Sequence, residues 1–301
     1  MERARRVFVT GATGFVGRSV VHSLRTHGHL VRCLVRRGSE PDLRGFEAIE
    51  RVEGDVLLPD TLRHGMEGCD TVIHLVGIIR EQPRAGVTFE RVHVQGTVNV
   101  LEAASRTGAR RYLHMSALGT RAGARSRYHQ TKWAAEEAVR ASALPWTIFR
   151  PSIIYGRGDG LVTMLAGMVE RLPVVPVIGS GLQQLQPVRV EDVAEGFARA
   201  VTLDATAKHL YEVGGPDAVT MLGLLDAIGE ALGRRRVRKA HVPIGLMRAV
   251  ASALHRVPGF PITPDQLLML EEDNTCDPRP FHAAFGLRPV PLMEGLRAML
   301  G

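Results

Sequence analysis

The first residues of the chain contain the feature that most constrains the fold, an apolar stretch that runs into three evenly spaced glycines. Residues 7–10 predict a buried strand, and Gly11, Gly14 and Gly17 lead from it into a helix expected over 15–26. A phosphate can sit on such a turn because side chains are absent and the first helical N–H groups point at it. The loop is therefore predicted to bind the diphosphate of a dinucleotide.

Each glycine of this loop has its own task. Gly11 allows the tight turn, Gly14 lets the backbone approach a pyrophosphate, and Gly17 lets the helix pack closely against the strand. The helix N-terminus adds about half a positive charge where the phosphates would lie. Further cofactor contacts are predicted in the same loop at Thr13, Phe15 and Val16.

Strand-like and helix-like stretches alternate along the first half of the chain. Strands are expected at 29–35, 49–52, 69–77 and 111–115, with helices between them. This alternation predicts an α/β fold with a doubly wound parallel sheet that helices cover on both faces. Ligands bind such sheets at the carboxyl ends of the strands, and Ser116 lies at one of these ends.

The pattern changes after residue 156, and two domains are predicted. Residues 1–156 and 187–205 are assigned to an NAD(P)-binding domain. Residues 157–186 and 206–301 are assigned to a smaller, discontinuous, mainly helical domain that would line the substrate cleft.

The end of the second expected strand indicates which dinucleotide is bound. Proteins that select NAD place an acid there to hold the ribose hydroxyls, whereas a cation suits the 2′-phosphate of NADP. This chain has Arg36 and Arg37 and no acid, so NADP(H) is predicted over NAD(H). A solvated basic loop is the alternative interpretation of the two arginines.

Two further strand ends supply predicted cofactor contacts. Asp55, followed by Val56, is either a hydrogen-bond partner of the adenine amino group or a cap of the following turn. The fourth strand ends at Leu75, Val76 and Gly77, where the glycine would let the backbone approach the diphosphate.

Tyr128 and Lys132 lie four residues apart at the start of an expected helix, so their side chains share one face. A neighbouring ammonium group favours the phenolate and is expected to lower the pKa of Tyr128 from about 10 toward neutrality. Tyr128 would then act as a general acid or base, with Ser116 bonded to the same substrate oxygen. Ser116, Tyr128 and Lys132 are therefore the predicted catalytic residues.

These motifs together resemble the extended and atypical members of the short-chain dehydrogenase/reductase family. The resemblance covers essentially the whole chain and includes the glycine loop, Gly54-Asp55-Val56, His74-Leu75-Val76-Gly77, Ser116 and Tyr128-x-x-x-Lys132. The stretches 72–79 and 113–119 are most similar to the branch that contains alpha-subcomplex subunit 9 of respiratory complex I.

The resemblance implies roles for particular residues. In that family the glycine loop holds the diphosphate, which implies that Lys132 also contacts the nicotinamide ribose and that Tyr128 transfers a proton. The stretch Arg150-Pro151-Ser152-Ile153 is similar to a later family landmark, which implies cofactor contacts at Pro151 and Ile153.

The chain departs from the family pattern at two places. Extended members usually have asparagine where this chain has His93. The stretch between Ser116 and Tyr128 is shorter than in sugar-nucleotide epimerases and lacks their Tyr-Gly and acidic elements. This difference argues against a nucleotide-sugar substrate.

Composition limits the remaining partners. The formal net charge is +7, but aromatic residues are 5% of the chain and no RNA-binding motif interleaves them with the basic residues, so no nucleic-acid partner is predicted. Three widely spaced cysteines indicate a reducing compartment, and the early glycine loop leaves no room for a signal peptide, so a cytoplasmic location is expected. No metal site is predicted, because His27 and His29 lack a third ligand nearby.

The apolar stretch 243–254 has two interpretations. It is flanked by Arg238, Lys239, His255 and Arg256, so it is either a core helix over the cleft or an amphipathic segment that rests on a membrane or a partner. The second interpretation predicts peripheral contact with the inner face of a membrane or with a respiratory complex.

Two hypotheses of function follow from the sequence. The first is an NADPH-binding oxidoreductase that acts on the carbonyl or hydroxyl of a small, apolar substrate of the quinone or isoprenoid kind, with Tyr128 as proton donor. The second is a nucleotide-loaded structural or assembly protein of a respiratory or quinone-biosynthetic complex. A nucleoside-diphosphate-sugar epimerase and an NADP-sensing regulator are lesser alternatives, and the oligomeric state is left open.

Overall fold

The structure, a computed structural model, describes residues 4–39, 43, 45–46, 48–254 and 262–301. Its strands are β1 Arg6–Thr10, β2 Leu30–Val35, β3 Ile49–Glu53, β4 Thr71–His74, β5 Arg111–Met115, β6 Trp146–Pro151, β7 Ile154–Tyr155, β8 Val175–Ile178, β9 Gln184–Leu185, β10 Val188–Arg189, β11 His209–Val213, β12 Val219–Thr220 and β13 Lys239–Val242. Its α-helices are α1 Phe15–Thr26, α2 Pro59–Met66, α3 Gly96–Arg106, α4 Arg127–Ala141, α5 Leu161–Arg171, α6 Val190–Ala200, α7 Met221–Ala231, α8 Ile244–Leu254, α9 Pro264–Leu270, α10 Arg279–Phe285 and α11 Leu292–Leu300.

The chain divides into two compact units. The first contains the chain up to Pro151 together with Val190–Val213 and Arg279–Leu287. The second contains Ser152–Arg189, Gly214–Pro278 and Arg288–Gly301. Strand β11 and helix α10 therefore belong to the first unit, although the sequence placed 206–301 in the second domain. The functional domain boundaries stay a prediction.

The first unit is built on a seven-stranded sheet with the strand order β11-β6-β5-β4-β1-β2-β3. Each of its strand pairs is parallel, as the alternation of strands and helices predicted. The strand order reverses between β1 and β4, which is where open parallel sheets bind ligands. The predicted doubly wound α/β fold is confirmed.

The glycine loop leaves the sheet at this reversal point. Thr10 ends β1 and pairs with Leu34 of β2 on one side and with His74 of β4 on the other. Helix α1 then begins at Phe15 and buries Val16, Val20 and Leu24, the face expected from their helical spacing. The carboxyl ends of three adjacent strands therefore meet at the start of α1.

The helical region between β4 and β5 is not a single α-helix in the structure. Its first part, Glu90–Gln95, is a π-helical segment, and the α-helical part α3 begins at Gly96. The wider turn brings Gly96 against Val56, where a β carbon on the glycine would lie 3.2 Å from a Val56 methyl group. Single π-helical turns often occur at functional sites, and this one contains the buried His93.

The second unit combines helices with three short strand pairs, β7–β10, β8–β13 and β9–β12. Its core is formed by apolar side chains of α5, α7 and α11 around Tyr155. In helix α8, Ala251 is buried, whereas Leu246 and Leu254 are 57% and 41% exposed. Exposure of this kind does not fit the core-helix interpretation of 243–254.

The flanks of α8 also differ from the sequence expectation. Arg238 precedes strand β13 and Lys239 is its first residue, so the strand lies between Arg238 and the helix and neither residue belongs to α8. His255 and Arg256 lie outside the described residues. Among the helices that the structure describes, none has the length and apolar character needed to cross a bilayer.

Candidate active site

The glycine loop adopts a conformation that requires its glycines. Gly11 has a φ angle of +78°, in the left-handed region that side chains disfavour. A β carbon there would lie 3.1 Å from the backbone between Leu75 and Val76. At Gly17 a β carbon would overlap the carbonyl oxygen of Gly11, so the predicted close packing of helix on strand is present.

The start of α1 is suited to an anion. Gly14 occupies the N-cap position without a side chain that could accept from the first N–H groups, and the first turn has no acidic residue. These N–H groups and the helix dipole favour a phosphate. Phe15 and Thr13 are half-buried beside them. The loop fits a dinucleotide diphosphate.

The residues predicted to select the cofactor lie at the ends of β2 and β3. Arg36 and Arg37 are exposed directly after β2, next to the strand that carries the glycine loop. Asp55 Oδ1 accepts a hydrogen bond of 2.9 Å from the N–H of Leu57. The turn-capping interpretation of Asp55 is therefore realised, and its second carboxylate oxygen is the atom left for the predicted adenine contact.

The loop after β4 lies against the predicted catalytic lysine. The N–H of Leu75 donates to the carbonyl of Thr10 at 3.1 Å, which continues the β1–β4 pairing beyond the strand. A β carbon on Gly77 would lie 3.1 Å from Lys132 Nζ. The structure therefore brings Lys132 to the same strand ends as the glycine loop.

Ser116 and Lys132 meet at the end of β5. Lys132 Nζ donates to the carbonyl of Met115 at 3.0 Å, one residue before Ser116. Both side chains are buried, with relative exposures of 3%. Ser116 Oγ lies 3.4 Å from Thr120 Oγ1.

Tyr128 lies in the first turn of α4, one turn before Lys132, and is half-buried. Ser126 caps this helix, because its Oγ accepts a hydrogen bond of 3.2 Å from the N–H of His129.

The protonation of Tyr128 differs from the sequence expectation. Burial raises the pKa of Tyr128 to about 12, although the adjacent ammonium group was expected to lower it. Burial also lowers the pKa of Lys132 to about 8, and the Glu136 carboxylate opposes this shift. The cause of the raised pKa of Tyr128 is desolvation, and the Lys132 ammonium donates to the Met115 carbonyl. Tyr128 is a neutral phenol at pH 7.

His93 is the site residue whose contacts the sequence did not predict. Its Nε2 lies 3.1 Å from both the backbone nitrogen and the carbonyl oxygen of Ile78, and its Nδ1 lies 2.9 Å from Thr131 Oγ1. In either tautomer the ring therefore bonds to both Ile78 and Thr131. This connects the loop after β4 to α4, the helix that carries Tyr128 and Lys132.

Burial and the Lys132 charge lower the pKa of His93 to about 2, so the ring is neutral. Its ring centroid is 5.4 Å from that of Tyr128, in an edge-on arrangement. In the sequence, His93 was noticeable because extended members of the family usually have asparagine at this position. Spacing alone could not show that the imidazole reaches two elements at once.

A second buried histidine extends the network toward the glycine loop. His74 Nδ1 lies 2.7 Å from Thr10 Oγ1, and its Nε2 lies 3.2 Å from Thr97 Oγ1. Thr97 Oγ1 in turn donates to the carbonyl of His93 at 2.6 Å. Burial lowers the pKa of His74 to about 3, so this ring is also neutral. Hydrogen bonds therefore connect the end of β1 to α4.

Glu136 is another residue that the sequence interpretation left out of the site. It is fully buried one turn after Lys132, and it accepts from Arg150 at 2.7 and 2.8 Å and from Arg140 at 2.5 Å. Its spacing of four from Lys132 was the signal that could have found it. The carboxylate supports the charged form of Lys132.

The last two predicted cofactor contacts fall in different units. Pro151 ends β6, is buried, and its carbonyl accepts a hydrogen bond of 2.9 Å from the N–H of Leu118. Ile153 belongs to the second unit, where it packs against that unit's core. Their cofactor contacts stay predictions.

The described part of the chain contains no group of three side chains suited to a metal ion. The two histidines considered for such a site have other partners. His27 Nε2 lies 3.0 Å from Glu195 Oε1, and His29 Nδ1 accepts from the N–H of Arg5 at 3.3 Å.

The sheet and its glycine loop define a dinucleotide-binding α/β protein of the Rossmann class. Residues 7–214 match the NAD dependent epimerase/dehydratase family, and the chain belongs to this family. The chain is 31% identical to the mitochondrial NADH dehydrogenase [ubiquinone] 1 alpha subcomplex subunit 9 of Arabidopsis thaliana, over 88% of this chain and 68% of that protein. The resemblance found in the sequence is confirmed.

Two further similarities differ in what they support. The chain is 39% identical to ceramide reductase of Caulobacter vibrioides, over 62% of this chain and 58% of that protein. It therefore spans less than two thirds of that relative. The structure of UDP-glucose 4-epimerase from Thermotoga maritima, solved with UDP-glucose, has a TM-score of 0.77 and covers 98% of this chain and 97% of its own. At 18% identity this match shows the fold alone.

Proposed function

We propose that this protein is a reductase that uses NADPH to reduce a carbonyl group on a small, apolar substrate. The observation that carries the proposal is the placement of Lys132 between the Met115 carbonyl and Gly77, with Tyr128 one turn earlier on the same helix. Family membership supports a nicotinamide dinucleotide as the cofactor. The similarity to ceramide reductase supports an apolar substrate.

The residues at the strand ends fit such a cofactor. The glycine loop and the N-terminus of α1 would hold the diphosphate. Lys132 would bind the nicotinamide ribose, whose hydroxyl oxygens would accept hydrogen bonds from its ammonium group. When bound, the reduced nicotinamide supplies a hydride. Thr13, Phe15, Val16, Asp55, Val56, Leu75 and Val76 are the other proposed contacts of the first unit.

Tyr128 would donate its proton to the substrate oxygen, and Ser116 would hold that oxygen by a hydrogen bond. A phenol with a pKa of about 12 keeps its proton at pH 7, so the residue is prepared to act as an acid and not as a base. The protonated phenol holds the proton that reduction of a carbonyl consumes. Lys132, positively charged beside the reacting phenol, would stabilise the negative charge that develops on Tyr128.

The preference for NADPH is supported by Arg36 and Arg37, which are exposed at the end of β2 and suited to a 2′-phosphate. Replacing both by Ser should weaken NADPH binding at least tenfold and leave NADH binding nearly unchanged, as measured by titration of cofactor fluorescence. Arg106 and Arg110, exposed elsewhere in the first unit, are the matched pair for the control. Equal loss for both cofactors would contradict the assignment.

Replacement of Tyr128 by Phe tests the reaction itself. Turnover of a long-chain ketone or a quinone with NADPH should fall at least a hundredfold, because the acid is lost while the ring remains. NADPH affinity should change little. Tyr211→Phe, in β11 of the same unit, is the control with the same change of side chain. Full activity of the Tyr128 variant would disprove the role of the phenol.

A second function is favoured by the similarity to the complex I subunit over 88% of this chain and by His93 in place of the usual asparagine. In this alternative the protein is a nucleotide-loaded structural or assembly component of a respiratory or quinone-biosynthetic complex, held at the inner face of the membrane. A reductase must release its oxidised cofactor in every turnover. Exchange of bound NADPH within seconds after mixing with excess NADP⁺ would support the reductase, and retention for hours would support the structural role.

An epimerase is the lesser alternative, supported by family membership alone. Such an enzyme would return the hydride to its own substrate and would also retain its cofactor. Conversion of UDP-glucose in the presence of the oxidised dinucleotide, without net formation of its reduced form, would distinguish it from both other functions.

A further inference from the structure

The second unit carries a concentrated positive charge that the proposed reaction does not use. Five of the six residues in 234–239 are basic, and no acidic residue interrupts them. Arg235, Arg236 and Arg238 are exposed. Lys239 is paired with Asp226, so the charge that faces solvent comes mainly from the arginines.

The loop that carries these arginines is anchored to α7 and β8. Val237 is 9% exposed and packs against Gly229 of α7 so closely that a β carbon on the glycine would overlap it. The N–H of Arg234 donates to the carbonyl of Gly229 at 2.8 Å. These two contacts hold the loop backbone against α7, and the arginines that flank Val237 remain exposed.

Exposed apolar side chains adjoin this charge. The N–H of Val175 donates to the carbonyl of Arg238 at 2.8 Å, and the guanidinium of Arg234 bonds to the carbonyl of Glu170. These contacts place the loop beside the link between α5 and β8. In that link Leu172 and Val174 are 41% and 40% exposed.

We propose that one surface docks on an anionic lipid bilayer. It consists of Arg171, the exposed last residue of α5, with Leu172, Val174, Arg234, Arg235, Arg236 and Arg238. The guanidinium groups would bind lipid phosphates, and the two aliphatic side chains would enter the boundary between headgroups and acyl chains. Attraction to anionic lipids adds up over each basic residue near the surface. The proposal concerns this surface alone and holds whichever reaction the first unit performs.

The apolar pair is what favours a bilayer over other polyanions. A nucleic acid would contact the arginines through phosphates and would leave Leu172 and Val174 exposed, since this surface offers no aromatic side chain for stacking. A bilayer uses both components at once. Helix α8, considered for this role from the sequence, has its Arg248 paired with Glu271 at 2.5 Å and lacks such a group of arginines.

Cosedimentation of the full chain with phosphatidylcholine vesicles, with and without phosphatidylglycerol, tests the proposal. We expect binding to the anionic vesicles only, and weaker binding as salt is raised. The triple variant Arg235→Ser, Arg236→Ser, Arg238→Ser should lower the partition coefficient about tenfold to a hundredfold at low salt. The double variant Leu172→Ser, Val174→Ser should lower it several-fold at any salt concentration.

A second triple variant controls for the loss of net charge. Arg63→Ser, Arg106→Ser, Arg110→Ser removes three exposed arginines of the first unit and should leave vesicle binding within twofold of the unmodified chain. Equal losses in the two triple variants, or no binding to anionic vesicles, would overturn the proposal. Two results together would overturn it in favour of a surface for polyanions in general. These are full vesicle binding by the double variant at Leu172 and Val174, and binding of the unmodified chain to duplex DNA as tightly as to the vesicles. NADPH affinity, measured for every variant, reports whether the chain is folded.

Discussion

Two groups of basic residues in this protein show opposite ways of using positive charge. In the first unit, Lys132 and Arg150 are buried or nearly so, and each has a fixed partner, the Met115 carbonyl or the Glu136 carboxylate. In the second unit, the arginines of 234–238 are exposed on a loop whose apolar anchor, Val237, is the buried part. A buried cation needs partners that hold one geometry, whereas an exposed one keeps its hydration and its freedom to meet a ligand.

The comparison separates a site defined by geometry from a surface defined by charge density. Around Lys132, replacement of a single side chain should change stability and protonation. Around Arg235, only replacement of several residues together should have a large effect, because each surface charge contributes little. The substitutions described next test this contrast. Each replaces a buried residue of the first unit and is compared with a control substitution or with the unmodified chain.

The largest effect is expected at Gly17. Replacing it by Ala would push a methyl group into the Gly11 carbonyl and force α1 away from β1. We expect a loss of about 3 kcal/mol or more in the free energy of unfolding, together with loss of NADPH binding. Chemical denaturation measures the first and fluorescence titration the second. Gly167→Ala, in helix α5 where a β carbon meets open space, should be neutral or stabilise by up to about 1 kcal/mol.

Glu136 comes next. The change Glu136→Gln keeps the shape of the side chain but leaves the guanidinium of Arg150, whose side chain is 13% exposed, without its carboxylate. We expect destabilisation by about 3 kcal/mol in urea denaturation. The exposed pair Glu230–Arg297 provides the comparison, because both side chains are 63% exposed. Glu230→Gln should change stability by less than about 0.5 kcal/mol, and similar costs for the two variants would contradict the distinction between buried and exposed charge.

The protonation of Lys132 predicts a particular dependence of stability on pH. In the unfolded chain the lysine keeps its proton up to an ordinary pKa of 10.5, whereas in the folded chain burial lowers the pKa to about 8. Between these values the unfolded state binds the additional proton, so stability rises with pH across that window. The rise should be about 3 kcal/mol.

Unfolding of the wild type and of Lys132→Met, followed between pH 7 and pH 11 on the same buffers, isolates this contribution. The free energy of unfolding of the wild type, minus that of Lys132→Met, should increase as pH rises from about 8 to about 10.5. A difference that stays constant over the window would mean that the folded lysine titrates normally.

The features that the sequence predicted correctly are those that depend on residues close together in the chain. The glycine loop, the extent of α1 and the shared helix face of Tyr128 and Lys132 depend on spacings of three and four residues, so they followed from the sequence. The parallel sheet followed from the alternation of strands and helices. These features need no knowledge of which side chains meet across the fold.

The features that the sequence did not predict depend on burial and on long-range contacts. The raised pKa of Tyr128 depends on desolvation by surrounding elements, which outweighs the neighbouring ammonium group. The π-helical turn before α3 has no local signature in the sequence. The same is true of the contacts of His93 with Ile78, 15 positions earlier, and with Thr131, 38 positions later. The placement of β11 in the first unit likewise depends on its pairing with β6.

His93 gives the smallest expected change in stability and the sharpest test of whether the first unit works as one network. Replacing it by Ala removes the hydrogen bonds to Ile78 and Thr131 and should cost about 1 to 2 kcal/mol in the free energy of unfolding. Because the ring joins the loop after β4 to α4, we also expect weaker NADPH binding and a shifted pH dependence of kcat/KM. His93→Asn, the family residue, should restore part of both. His209→Ala, an exposed histidine of the same unit, should alter neither, and a His93→Ala protein that is less stable but has an unchanged pH profile would show that the imidazole only fills space.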